Sequence, residues 1–388
     1  MAMTIELPPL ADPLTDEPEA SFTLPSTYYT DPGLFELEKE KIFYRSWQYV
    51  APCQSFAAPG DYVVVDICGQ SVFVILGDDL QLRAFYNVCR HRAHELLQGQ
   101  GNVASAIVCP YHAWTYKKDG GLRYARNTAD RASFRLEDYG LKSVQIEEFV
   151  GCVFVNLDPK AEQLADTVAD LETDIRSRVP FLDDLQMPMA NTFGKTEIEA
   201  DWKVVVDNFV ECYHCEPAHP DFASLICMKD YQTKTFGLWS RQTGPQIRHK
   251  NSAYDVDPDR GYQGALFWYL WPNTTFNILP GADEMGIYVI RPLGLTRSSF
   301  EGHTLSVGNT QNTARSKYTA EVLTPEDISL CESVQRGLHS HGYDQGPIVA
   351  DKRQSGISEH ALHHFHRLVY QTLQATSLPL TKIFRSTL

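Results

Sequence analysis

The sequence predicts an α+β chain of two domains, an N-terminal all-β domain followed by a C-terminal α+β domain of antiparallel sheet and helices. Three observations predict it. From Gly60 to Cys89, GDYVVVDICGQSVFVILGDDLQLRAFYNVC consists of short β-branched and aromatic runs separated by Gly and Asp turn signals, the pattern of a small antiparallel β domain. Composition changes near Pro159. Beyond it, helical and strand patterns mix without the βαβ rhythm of a doubly wound fold. The partition is an arm and helix over 1–45, a β domain over 46–158 and a mixed domain over 159–388.

Residues 1–25 read as a flexible arm, because Pro and acidic residues dominate and no apolar period emerges. LFELEKEKIFYRSW places Leu34, Phe35, Leu37, Ile42 and Phe43 at near-helical spacing and predicts a helix. GDD and KKDGG mark tight turns in the β domain, and YGLKSVQIEEFVGCVFVNLD supplies its last strands. In the second domain AEQLADTVADLETDIRSRV and WKVVVDNFVECYHC are helical. GALFWYLWPNTTFNIL, MGIYVIRPLG and SFEGHTLSVG read as strands, then TPEDISLCESVQRGLHS and ISEHALHHFHRLVYQTL as closing helices.

Thirty-four Lys and Arg against 49 Asp and Glu give a net charge of −15, which argues against a nucleic-acid partner. The acidic, Pro-rich start has neither a basic n-region nor an apolar run, and no stretch approaches the length of a spanning helix. A soluble, cytoplasmic protein is expected. Nine scattered cysteines, an odd number, do not make a disulfide framework.

Two constellations carry chemistry. In the β domain lie Cys89-Arg-His91 and, 17 intervening residues later, Cys109-Pro-Tyr-His112. Two thiolates and two imidazoles on two short loops suit a structural zinc or an iron–sulfur cluster. Zinc fingers pair Cys with Cys and His with His, whereas here each loop supplies one of each, as a Rieske [2Fe–2S] centre requires. Such a cluster serves electron transfer. His94 has no matching partner and reads as structural.

In DWKVVVDNFVECYHCEPAHP, His214 and His219 are five residues apart at the end of a helical run. With a distant carboxylate they would complete a 2-His-1-carboxylate triad, which leaves positions open on Fe(II). Asp327 is the candidate, with Glu326 and Glu332 its competitors. It has an alternative role, since Thr324-Pro325-Glu326-Asp327 also reads as a helix-start capping box.

With these motifs the chain resembles the α subunits of Rieske non-haem iron oxygenases from about Trp47 onward. The resemblance implies cluster ligands Cys89, His91, Cys109 and His112, and iron ligands His214, His219 and Asp327. It also implies dioxygen and NAD(P)H-derived electrons through a flavin and iron–sulfur reductase, and a homotrimer. Glu211, where most relatives carry Asp, would bridge the two centres of neighbouring subunits. The longer acid, and SVQRGLHSHGYDQGPIVADKRQSGISEHALHHFHRL, resemble the branch acting on quaternary ammonium compounds such as carnitine and betaines. Oxidation of an N-methyl carbon there would give a carbinolamine that collapses to formaldehyde. Hydroxylation of an aromatic acid is the alternative within the family.

Outside the family, a stand-alone electron carrier would not need the second half, and a zinc-stabilised binding protein would be colourless. A quaternary ammonium donates no hydrogen bond and calls for aromatic faces, for which Phe267, Trp268, Tyr269, Trp271 and Phe276 are candidates. Strand alternation would set Trp268 opposite to Phe267 and Tyr269. His360, His363, His364 and His366 are read as packing residues rather than a third metal site. Ala93 replaces a glycine common in relatives' cluster loops. The seven cysteines other than Cys89 and Cys109, including Cys212 and Cys215, read as reduced packing thiols.

Overall fold

The computed structural model describes residues 7–188, 193–308 and 313–375. The chain divides into two compact units: Phe43–Ala165, and the described residues on either side of it.

The Phe43–Ala165 unit is built on a seven-stranded antiparallel sheet. Its order is Gln48–Pro52, Cys152–Asn156, Ser143–Phe149, Leu82–Tyr86, Gln70–Leu76, Asp61–Ile67 and Gln100–Asn102. The Gln70–Leu76 strand runs through the core, and its β-branched and aromatic members Val72, Phe73, Val74 and Ile75 are fully buried. A second, three-stranded sheet pairs Ile107–Val108, Thr115–Tyr116 and Leu122–Tyr124. The expected KKDGG turn closes two of these strands. Gly120 takes φ +86° there, and a Cβ on it would lie 2.4 Å from the Phe85 ring.

The other unit holds an eight-stranded antiparallel sheet. Along it run Leu185–Gln186, Arg297–Val307, Glu284–Gly294, Thr274–Ile278, Ala265–Leu270, Trp239–Gly244 and Gln232–Phe236, while Gly194–Ile198 also pairs with Arg297–Val307. The helices Trp202–Val210, Thr324–Leu338 and His360–Gln374 pack in the same unit, the first against Glu284–Gly294. Among the described residues no helix is long and apolar enough to cross a membrane.

Two expectations change. The arm is not free over its described part: Ser21 and Leu24 are buried, Phe22 bridges to Pro347, and Thr23 and Ser26 donate backbone hydrogen bonds to Gly346 and Asp344. Backbone pairing of this kind leaves no hydrophobic period for a sequence reading to detect. The helix expected after Pro32 covers Pro32–Glu38, capped by Asp31 on the Gly33 and Leu34 N–H groups, and passes into a wider turn over Lys39–Phe43.

The four C-terminal histidines diverge. Nε2 of His360, His363 and His364 face the carbonyls of Thr233, Thr15 and Gly237. His366 accepts the Leu24 N–H on Nδ1 (3.0 Å), so its ring proton sits on Nε2, 3.0 Å from Asp207. Tyr29 donates to the other oxygen of Asp207 at 2.8 Å.

Candidate metal centres

The two Cys/His loops share one hydrogen-bond frame. In the first, the Ala93 N–H donates to the Cys89 carbonyl (3.0 Å) and the Cys89 N–H to that of His94 (2.8 Å). In the second, Ala113 donates to Cys109 (2.9 Å) and Cys109 to Trp114 (2.8 Å). Both alanines take φ 58°, a left-handed conformation that costs a non-glycine residue on the order of 1 kcal/mol. The frame thus needs this conformation in both loops, each of which supplies it with an alanine.

These loops sort the candidate ligands by type. Cys89 and Cys109 are buried and adjoin one another, while the His91 and His112 rings lie outward with centroids 4.7 Å apart. His91 stacks on buried Trp114 at 4.9 Å and 10°. Burial raises the Cys89 thiol, opposed by the Tyr116 hydroxyl 3.3 Å from its sulfur. Partial desolvation, then His91 and the Arg92 and Arg126 cations, lower the pKa of His112 and favour the neutral ring that a ligand must be.

The second centre starts from the Trp202–Val210 helix. Asp201 caps it, accepting the Lys203 N–H. The Lys203 ammonium is buried between Glu38 (2.6 Å) and Asp201 (2.8 Å), and the Trp202 indole N–H donates to Glu38 at 2.8 Å. Two carboxylates thus share one ammonium, burial holds Asp201 well above the usual carboxylate range, and the Lys203 contacts fix the helix start. The helix ends at Val210, earlier than the sequence predicts. Glu211 takes an extended backbone (φ −129°, ψ 166°), so its approach to His214 comes from a turn and not from helical spacing. Cys212 and Cys215 flank that turn and are joined in a disulfide with Cα atoms 4.9 Å apart, which corrects their reading as reduced thiols.

His214, His219 and Asp327 come together, each offering a ligand atom within 4.8 Å of the others. Asp327 Oδ1 stands 2.9 Å from Nε2 of His219 and 3.8 Å from Nε2 of His214. Asn208 Nδ2 lies 3.4 Å from the same His214 nitrogen. Each outer nitrogen faces another carboxylate: Glu211 Oε1 at 2.5 Å from His214 Nδ1, and Glu326 Oε2 at 2.8 Å from His219 Nδ1. Burial works against protonation of His219, but Asp327 and Glu326 outweigh it and raise its pKa. The Thr324–Leu338 helix carries no side-chain cap at its start, which leaves the Asp327 carboxylate to the histidines. Glu332 points elsewhere, accepting the Glu199 N–H.

Two family models match the chain: a Rieske [2Fe-2S] domain over residues 46–141, and a ring hydroxylating alpha subunit (catalytic domain) over residues 192–375. The carnitine monooxygenase oxygenase subunit of Escherichia coli (strain K12) is 39% identical over 363 residues, 92% of this chain and 95% of that protein. That of Acinetobacter pittii is 40% identical, covering 91% and 95%.

The chain belongs to the Rieske non-haem iron oxygenases. It is an oxidoreductase α subunit of the branch that holds the carnitine and betaine enzymes. A quaternary ammonium Rieske monooxygenase solved with L-carnitine superposes with a TM-score of 0.83 at 37% identity, covering 92% of this chain and 97% of that one. Naphthalene 1,2-dioxygenase, at 21% identity and a TM-score of 0.76, shares the fold.

In this Rieske oxygenase the donor sets fit both groups. Paired thiols and paired imidazoles suit the two irons of a [2Fe–2S] cluster, and two imidazoles with one carboxylate suit Fe(II). When bound, the cluster supplies one-electron transfer and the Fe(II) supplies dioxygen-dependent C–H oxidation.

Of the aromatic candidates, Phe267 packs against Phe209 and Phe222, ring centroids 6.4 and 6.2 Å away, on the side of the iron-site helices. Trp268 is on the opposite face, fully buried, donating to Asp174 at 2.9 Å, with Phe276 as its cross-strand partner. Tyr269 and Trp271 pack against Phe365. Tyr254 and Tyr318, 5.5 Å apart, share the apolar cluster of Phe222 and were not singled out from the sequence, where isolated tyrosines carry no pattern. Tyr116, Asn208 and the partnership of Glu326 with His219 were likewise missed. Only Tyr116 left a trace, two residues after Trp114 on a short strand.

Proposed function

We propose that this chain is the oxygenase component for a small quaternary ammonium substrate of the carnitine or betaine kind. It would hydroxylate a carbon beside nitrogen, so that N-demethylation or C–N cleavage follows. The observation that carries the reading is the 39–40% identity to carnitine monooxygenase oxygenase subunits over more than nine-tenths of the chain. The aromatic faces of Phe222, Phe267, Tyr254 and Tyr318 in and against one apolar cluster support it, because a permanently charged ammonium is held by ring faces and not by hydrogen bonds.

In this reading Cys89, His91, Cys109 and His112 hold the cluster, and His214, His219 and Asp327 hold one face of the iron. The apolar cluster that joins Cys212 and Cys215 to Phe222 and Leu225 would limit water at the positions left open. Glu211 fixes His214 through Nδ1 and links it to a cluster histidine of a neighbouring subunit in a homotrimer. A separate flavin and iron–sulfur reductase supplies electrons from NAD(P)H, in the cytoplasm.

The test is aerobic turnover with a reductase of that kind against carnitine, betaines and aromatic acids, following oxygen uptake and release of aldehyde and amine. Release of both from a methylated ammonium is expected. Absence of products from every quaternary ammonium tried, or hydroxylation of an aromatic acid instead, would sink the reading.

A further inference from the structure

His219 lies across the first turn of the Thr324–Leu338 helix, with consecutive residues addressing its two nitrogens: Glu326 Oε2 at 2.8 Å from Nδ1, and Asp327 Oδ1 at 2.9 Å from Nε2. Neighbouring helical residues diverge by about 100°, which puts one carboxylate on each side of the ring. We infer that Glu326 is the positioning residue for His219, fixing the tautomer that lets Nε2 serve as a metal ligand. The inference rests on the assignment of His214, His219 and Asp327 as the iron site.

A neutral imidazole carries one N–H and one lone pair, and a metal can take only the lone pair. With Asp327 as the sole acceptor, the proton would be drawn to Nε2, where it blocks coordination. Glu326 offers a competing acceptor on Nδ1, so that when a metal displaces the Nε2–H···Asp327 hydrogen bond the remaining ring proton stays on Nδ1 and the Nε2 lone pair is free for the metal. Water is a poor substitute, because the His219 side chain is only 3% exposed, against 20% for His214. The Nδ1 partner of His219 therefore matters more for metal affinity than that of His214. The same geometry removes Glu326 as a rival to Asp327, since it occupies the nitrogen on the far side of the ring.

The test measures Co(II) binding by the full chain, with its cluster in place and the mononuclear site emptied by chelation. Glu326→Met, of similar size but unable to accept, should weaken Co(II) binding about 10–100-fold. Glu326→Gln, whose amide oxygen still accepts the Nδ1 proton, should recover most of that loss. The cluster's visible absorption and the thermal midpoint serve as folding controls. Glu326→Ala replaces the Met variant if the latter does not fold.

Wild-type affinity in Glu326→Met or Glu326→Ala would overturn the inference. So would a Glu326→Gln variant as weak as Glu326→Met. A wild-type chain that takes up no Co(II), or that holds it equally well after Asp327→Ala, would instead overturn the iron-site assignment beneath it.

Discussion

Glu211 and His214 are joined through the ring nitrogen that Asp327 does not face: Oε1 stands 2.5 Å from Nδ1, while Asp327 Oδ1 is 3.8 Å from Nε2. Oε2 of the same glutamate accepts the backbone N–H of Tyr213 and, at 3.3 Å, that of His214. The carboxylate thus closes the turn that presents His214 and fixes its tautomer. Gln keeps one acceptor but cannot supply both that Glu211 uses, nor the charge of the proposed link to a neighbouring subunit, so Glu211→Gln should retain the cluster's visible spectrum and lower turnover about 10–100-fold. Single-turnover reoxidation of the reduced cluster, with substrate and dioxygen present, checks this. An unchanged rate would remove Glu211 from the path between the centres.

Asp327 is the only carboxylate of the iron triad, and no neighbouring acid replaces it there: Glu326 is committed to Nδ1 of His219 and Glu332 to the Glu199 N–H. Asp327→Ala should abolish stoichiometric mononuclear iron while leaving the cluster iron and acid-labile sulfide intact. Metal analysis beside the visible spectrum decides it. Retention of the third iron per chain would return Asp327 to a structural role in the helix start.

The parts of this site that sequence reveals are those closed by short loops. Cys89 with His91, Cys109 with His112 and His214 with His219 each sit within five residues, so ligand chemistry and spacing coincide. Asp327 is 108 residues from His219, and locally it looks like a helix cap; only the fold removes that alternative. Tyr116 and Glu326 act through a hydroxyl and a carboxylate placed by a sheet and a helix turn, and no spacing encodes either contact. The strands between Ala265 and Val307 and the closing helices are legible because their apolar patterns are strong, whereas Gly194–Ile198, Gln232–Phe236 and Trp239–Gly244 are too polar to show one. The docking of the arm is not legible, because its partners Asp344, Gln345, Gly346, His363 and His366 lie more than 300 residues away and its bonds to them carry no apolar period.

Acid should destabilise the fold through histidines that are buried in their neutral form. Burial pushes His303 and His363 down to about 4 and also lowers His360, against an ordinary histidine near 6.5. Below about pH 6.5 the unfolded chain takes up these protons while the folded chain does not, so stability falls with pH until about 4 and then levels off for these groups. The limit is on the order of 3 kcal/mol for each of His303 and His363. His363→Gln keeps a donor for the Thr15 carbonyl and should flatten the dependence of the thermal midpoint between pH 7 and 5. A slope equal to that of the wild type would show that His363 is not buried neutral.

Adjacent residues of one strand should separate substrate recognition from stability. Trp268 is fully buried and its indole N–H is committed to Asp174, which also pairs with Arg241 and Arg178. Truncation to Ala opens a large cavity and should cost about 3–5 kcal/mol. Phe267 projects from the other face, partly buried against Phe209 and Phe222 beside the iron-site helices. Phe267→Leu keeps most of the apolar volume but removes a ring face. Its thermal midpoint should stay close to that of the wild type, while KM for a quaternary ammonium rises roughly 2- to 30-fold, the span of a cation–π contact worth about 0.5–2 kcal/mol. A neutral tert-butyl isostere, which has no charge to lose, should bind the two proteins alike. Equal losses for the charged and neutral ligands would assign Phe267 a packing role and leave the ammonium to other rings.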